Sequence, residues 1–152
     1  MIHHLYEQGS EEWLSVRRGL ITGSMFKVAR ERLKNGKPSK ACEQYAMDLA
    51  IERCGGVTAE KFQSFHMRQG AEQEPVARAA YEAATGNSVN VVGFFSDDVG
   101  FFGCSPDGLI GEDGVLEIKT AVSSATFFRA AVDEDLSEYM DQCLGYLWML
   151  GR

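Results

Sequence analysis

Asp107, Glu117 and Lys119 are the residues whose types and spacing could do chemistry. They fall in one stretch, Gly103-Cys-Ser-Pro-Asp-Gly-Leu-Ile-Gly-Glu-Asp-Gly-Val-Leu-Glu-Ile-Lys119. Asp107 follows a proline turn. Glu117 and Lys119 stand two apart and share one face of a strand, while Leu116 and Ile118 share the other, which suits burial. A hairpin centred on Glu112 sets Asp107 directly opposite Glu117, whereas a two-residue Asp113-Gly114 turn would set them on opposite faces. The spacing therefore predicts an odd-numbered loop, or a bulge near Asp107. Two carboxylates at one point, with an ammonium beside them, make a site for a hard divalent cation. The segment reads equally as a surface hairpin carrying a Glu–Lys pair, and by itself it leaves both readings open.

A third carboxylate comes from a helix predicted over about Ser64 to Thr85 and stopped by Gly86. Gly70, Glu74, Ala77 and Tyr81 recur at helical spacing on one face of it. Glu74 is the exception on that small and aromatic face, so it must be paired, protonated or bound to a cation. Pro75 beside it predicts a kink or a helix start. Upstream, Ser10 caps a helix running to about Arg18, with Glu11 and Glu12 in its first turn. Thr22 or Ser24 caps a second through Leu33, and Ser39 caps a third ending at Cys54-Gly55-Gly56. From Asn87 the pattern turns to period two. Val89, Val91, Phe94 and Phe95, then Phe101 and Phe102, predict two antiparallel strands around Ser96–Gly100, continued by the Asp107 hairpin. Ser123 or Ser124 opens a further helix, and the last spans about Leu136 to Leu150, with Gln142 one turn before Tyr146. Helices, then strands, then helices make an α+β or mixed α/β domain.

The 152 residues suffice for one domain with a core, and 45% hydrophobic with 24% charged residues is ordinary globular composition. No apolar run reaches the roughly 20 residues of a membrane helix, and the N-terminus lacks signal-peptide order. A cytoplasmic location is expected. Four scattered cysteines without a Cys-x-x-Cys pair argue against a zinc ribbon or disulfide scaffold. His3, His4 and His66 lack ligand spacing and read as structural or solvent-facing. The net charge of −7 hides an asymmetry: residues 1–70 carry eleven Lys/Arg against eight Asp/Glu, and residues 71–152 carry four against fourteen. The acidic half holds the carboxylates and would repel a phosphate backbone unless cations bind, while the basic half could supply compensating contacts. The run from Lys27 to Lys40 reads equally as a solvated face.

Gly70-x3-Glu74-x2-Ala77-x3-Tyr81, Ser105-Pro106-Asp107-Gly108, Glu117-Ile118-Lys119 and Gln142-x3-Tyr146 occur in the order of the PD-(D/E)xK nucleases. Together with Trp13-x3-Arg17-x-Gly19-x-Ile21-Thr22-x-Ser24, they resemble the phage lambda-type exonuclease and YqaJ viral recombinase group, from about Glu12 onward. The resemblance implies a restriction-endonuclease-like fold, a central mixed sheet flanked by helices. It implies Mg2+ or Mn2+, as two ions. Asp107, Glu117 and the Ile118 carbonyl would be ligands, with Glu74 on the second ion. Lys119 would orient or help deprotonate the attacking water, Gln142 would position it or a neighbouring ligand, and Tyr146 would support that helix. Arg17, Ser24 and Ser105 would bind the 5′ phosphate of a DNA end.

The activity implied is 5′-to-3′ digestion of double-stranded DNA ends in phage-type recombination. It would serve a single-strand annealing protein in the cytoplasm of a bacterial host, from a phage or prophage. Certain relatives hold an iron–sulfur cluster on a close trio of C-terminal cysteines; that trio is absent here, so no cluster is expected. Family members also continue past the Gln-x3-Tyr helix with further strands and the contacts of a ring-shaped trimer. Residues 1–152 are thus expected to form a single nuclease domain, C-terminally short. That shortness motivates a second reading, a catalytically impaired DNA-end-binding protein or nuclease-derived inhibitor.

Overall fold

A β-ribbon carries the fold, and its pairing is interrupted at Pro106. In this computed structural model, which describes residues 1–56, 65–121 and 123–152, the elements are as follows in chain order. Strand β1 (Ile2–His4) and helix α1 (Glu11–Arg17) are followed by β2 (Ile21–Thr22), a 3-10 turn (Gly23–Met25) and α2 (Phe26–Arg30). Helices α3 (Lys40–Arg53) and α4 (Phe65–Thr85) lead to β3 (Val89–Asn90), β4 (Phe94–Ser96), β5 (Phe102–Cys104), β6 (Gly108–Ile110) and β7 (Gly114–Leu116). Helices α5 (Ser124–Ala131) and α6 (Met140–Leu150) end the chain.

The architecture is mixed α+β, with strands in two sheets: β1-β4-β5-β2, whose β2–β5 pair is parallel, and an antiparallel β3-β6-β7. The two sheets share one register. Phe95 faces Cys104 in the first and Asn90 faces Leu109 in the second. Carried through the gap, that register sets Gly93 opposite Pro106 and Val92 opposite Asp107. Proline has no N–H to give a ladder, so pairing lapses there. The Ser105 hydroxyl instead donates to the Gly93 carbonyl at 3.1 Å. Strand alternation distributes the core: Phe94 joins Trp13 and Leu20 on one face, while Phe95 joins Cys104, Leu109 and Tyr146 on the other.

Helix α6 lies across β5, β7, α2 and the 3-10 turn. Its approach needs glycine on both sides: a Cβ at Gly145 would stand 2.0 Å from the Phe26 ring, and one at Gly23 2.1 Å from the Tyr146 ring. Helix α3 pins the loop after α1 from behind. Glu52 accepts the Gly19 N–H at 2.8 Å, and Arg53 donates to the carbonyls of Gly19 and Gly100, each at 2.7 Å.

Ser10, Ser39 and Ser123 cap their helices as expected. Helix α4 runs unbroken through Pro75, with neither a restart nor a break there; the Ser64 start lies outside the described residues. The second helix is much shorter than expected. Residues 21–22 pair with β5, so neither Thr22 nor Ser24 caps it. The Asn35-Gly36 turn draws residues 31–39 into a small loop, closed by Leu33 N–H to Lys37 O at 2.8 Å and a bridge between Arg32 and Pro38. The last helix begins at Met140 rather than Leu136, since Asp135 accepts the Ser137 N–H at 3.0 Å and holds that segment as a turn.

Candidate functional site

Asp107 stands at the break in the ribbon, and the hairpin after it meets the register the spacing predicts. Gly108 faces Leu116 and Ile110 faces Gly114 across a three-residue loop, so Asp107 and Glu117 are opposed. Strand β7 nevertheless ends at Leu116, and Glu117 to Lys119 lie just beyond it rather than within it. The cause is Asp107 itself. Its Oδ2 accepts the Ile118 N–H at 2.6 Å, a side chain taking the bond a strand partner would otherwise make. Glu117 and Lys119 still reach one face, with Lys119 Nζ 2.6 Å from Glu117 Oε1.

Helix α6 closes this face. Gln142, on its first turn, donates from one amide nitrogen to Glu117 Oε1 at 2.6 Å and to the Tyr146 hydroxyl at 2.7 Å. Tyr146 then donates to the Ser105 carbonyl at 3.4 Å. Glu117 Oε1 thus receives two donors, while its Oε2 is buried without a hydrogen-bond partner. Burial first, and Asp107 second, push the Glu117 carboxyl up to about 7, against the opposing pull of Lys119 and Gln142. Asp107 is also raised by burial, moderated by the Ile118 N–H and Lys119.

Glu74 arrives from α4. Its carboxyl is raised, by burial and then by the charge of Asp107. The half-buried acid is paired, with Arg78 one turn along the helix. Arg78 is a residue of this cleft that motif reading passes over. Its signal was the i, i+4 spacing from Glu74. A Cβ at Gly70, one turn before Glu74, would stand 3.7 Å from Thr120 Oγ1, so α4 passes beside the Glu117–Thr120 segment.

The donors here are carboxylates and, at Ile118, a backbone carbonyl, all hard oxygens of the kind Mg2+ or Mn2+ takes. Among the described residues no group of three or more carboxylate, imidazole or thiol side chains is placed to hold a metal ion by itself. The fit rests on that oxygen chemistry, on the orphaned Glu117 Oε2 and on carboxyls raised by burial, with the charge of Asp107 adding to it at Glu74 and Glu117.

Arg17 feels the charge of Tyr146, Ser24 follows the Gly23 that the Tyr146 ring covers, and the Ser105 carbonyl accepts from the Tyr146 hydroxyl. The Arg17 guanidinium carbon lies 3.9 Å from the Trp13 ring centroid and 5.4 Å from that of Phe94. Burial lowers its pKa, with Tyr146 and Tyr45 pulling the other way. Among the described residues no carboxylate pairs with it. Ser24 is exposed, next to the Gly23 that the Tyr146 ring covers. Ser105 supplies its carbonyl to Tyr146 and its hydroxyl to Gly93.

The chain matches the YqaJ-like viral recombinase domain over residues 12–152. Its structure resembles the crystal structure of an alkaline exonuclease, LHK-Exo, from Laribacter hongkongensis. The TM-score is 0.73 at 30% identity, covering 90% of this chain and 69% of that one. The LHK-Exo complex with dAMP matches with the same TM-score and coverage at 29% identity. No curated protein matches the sequence. Among the described residues no helix is long and apolar enough to cross a membrane. By its matched domain and its fold, the chain belongs to the YqaJ-like viral recombinase family.

Proposed function

We propose that this protein is a metal-dependent exonuclease acting 5′ to 3′ on double-stranded DNA ends, hydrolysing phosphodiester bonds during phage-type recombination. One observation carries the reading: Glu117 is bonded to Lys119 and Gln142, and the charge of Asp107 acts on both Glu117 and Glu74, which ties together five residues scattered over 69 positions of sequence. Family membership and the likeness to an alkaline exonuclease support it.

Glu74, Asp107, Glu117 and the Ile118 carbonyl would hold Mg2+ or Mn2+, as two ions. The bound metal supplies Lewis acidity to the scissile phosphate and a water acidic enough to attack near neutral pH. The chain's own groups do the rest. Lys119 Nζ, 2.6 Å from Glu117 Oε1, would orient or help deprotonate the attacking water. Gln142 fixes the rotamer of Glu117 and ties it to α6. Over the Trp13 and Phe94 rings, Arg17 would offer a partly buried cation, and Ser24 and Ser105 their hydroxyls, to a terminal 5′ phosphate. The 1–152 segment would act as a single domain in the host cytoplasm, handing single strands to an annealing protein. The ring-shaped trimer remains the family's expectation.

The test is digestion of a linear duplex in Mg2+, with an EDTA control and with 5′-phosphate and 5′-hydroxyl ends compared. Wild type digests the phosphorylated duplex, and Asp107→Ala and Lys119→Ala do not. Digestion by both variants at the wild-type rate sinks the assignment. The Arg17 centre by itself would also suit a DNA-end binder without turnover. That protein would bind 5′-phosphorylated ends and cut in no divalent metal.

A further inference from the structure

Arg78 does not fit the role its spacing suggests. An arginine four residues after a glutamate on a helix ordinarily makes a solvated ion pair of small worth. Here the side chains of Arg78 and Glu74 are only 16% and 22% exposed. The guanidinium binds Glu74 Oε1 through Nη2, while its Nε is buried with no hydrogen-bond partner. Its charge also reaches Asp107, whose carboxyl burial raises against a small opposing pull from Arg78. A pair present only for stability has no reason to desolvate an arginine and leave one donor unmatched, because that burial opposes stability. The arrangement does make sense as an orientation device. A planar guanidinium fixed by its own burial grips one oxygen of Glu74, and among the described residues no donor takes the other oxygen.

We propose that Arg78 is a positioning residue, which holds the Glu74 carboxylate with its free oxygen available to the metal. The inference rests on the nuclease reading for its reaction, but not for its metal-binding part. Partners of ligating carboxylates commonly change metal affinity or activity by roughly 10–100-fold when removed.

The experiment compares wild type, Arg78→Gln, Arg78→Lys, Glu74→Gln and the Glu74→Gln/Arg78→Gln double variant, all in the full chain. Mn2+ binding is read without DNA, from the paramagnetic resonance signal of free Mn2+. Digestion of linear duplex is read against Mg2+ concentration. Arg78→Gln is expected to weaken Mn2+ binding roughly tenfold and to raise the Mg2+ needed for half-maximal digestion similarly. Arg78→Lys, keeping the charge but not the fork, falls between. Added to Glu74→Gln, the second substitution changes nothing further, because Arg78 acts through Glu74.

Wild-type Mn2+ affinity in Arg78→Gln overturns the proposal. So does an equal loss on adding it to Glu74→Gln. If Arg78→Gln fails to fold, Arg78→Lys is judged by the same criteria. A wild-type protein that binds Mn2+ yet digests no DNA refutes the nuclease reading and leaves Arg78 to the Mn2+ measurement. Failure of wild type to bind Mn2+ overturns both.

Discussion

Around Glu117, three partly buried carboxylates sit among two cations and an amide; beside Trp13 and Phe94, a partly buried guanidinium sits against aromatic rings. Both centres hold charge against its own solvation, and the shifts run in opposite directions, Glu117 up and Arg17 down. They differ in how that cost is met. Lys119, Gln142 and Arg78 bond directly to carboxylate oxygens in the acidic centre. The basic centre has ring faces at 3.9 and 5.4 Å, which attract a cation yet accept no hydrogen bond in its plane. The guanidinium edge is therefore still open to a multi-oxygen anion, while the carboxylates keep selected oxygens for a cation.

The largest expected effect separates the centres outright. Asp107→Asn should lower turnover in Mg2+ by roughly 10^3-fold, since it removes a charged ligand from the metal that would stabilise the reacting phosphate. Binding of 5′-phosphorylated duplex in EDTA, measured by fluorescence anisotropy, should stay near the wild-type value. An equal loss of binding would merge the two centres into one.

Next comes a pH effect belonging to the acidic centre alone. Glu117 holds its proton up to about 7 in the folded chain, against 4.5 ordinarily. Between those values the folded state binds more protons than the unfolded one. The stability contributed by this group is full below about 4.5 and is lost as pH rises through about 7. The shift corresponds to about 3 kcal/mol. In EDTA, Tm should fall from about pH 5 to about pH 8 by several degrees more in wild type than in Glu117→Gln. Added Mg2+ should remove the difference by stabilising the ionised site. Parallel curves in EDTA would show that Glu117 is not strained by its burial.

The mirror experiment on the basic centre is smaller. Arg17→Gln should cut the preference for 5′-phosphate over 5′-hydroxyl ends by roughly tenfold, the worth of a charge-assisted hydrogen bond. Digestion of 5′-hydroxyl ends should barely change. A uniform loss on both ends would assign Arg17 to the fold instead.

The acidic centre was the more legible of the two in sequence, for physical reasons. Period-two spacing and the centre of the hairpin place Asp107 opposite Glu117 from local chain geometry, and the three-residue loop obeys it. A carboxylate on a helix face of small residues marks Glu74 in the same way. What local rules miss is long-range pairing. Strands β1 and β2 exist because β4 and β5 offer them edges, and β2 overrides the caps expected at Thr22 and Ser24. Likewise the lapse of β7 at Leu116 follows from Asp107 reaching Ile118, a tertiary bond between residues eleven apart. Arg78 was visible as a spacing, but only burial distinguishes it from a surface pair.

Tyr146 gives the smallest and most discriminating prediction, because its hydroxyl is bonded to both Gln142 and Ser105. It is 3% exposed, its hydroxyl accepts from Gln142 and donates to Ser105, and burial raises its pKa, so it stays neutral at working pH. Tyr146→Phe keeps the ring that fills the space over Gly23 and deletes only the hydroxyl. Gln142 retains its bond to Glu117, so the acidic centre keeps its main support. Loss of the two bonds should cost about 1–2 kcal/mol of stability. Turnover and 5′-phosphate preference should each fall by less than about fivefold, and together, since Gln142 and Ser105 are loosened at once. A drop in only one would mean that Tyr146 serves one centre and merely fills space beside the other, whereas a joint drop makes its hydroxyl the coupling between them.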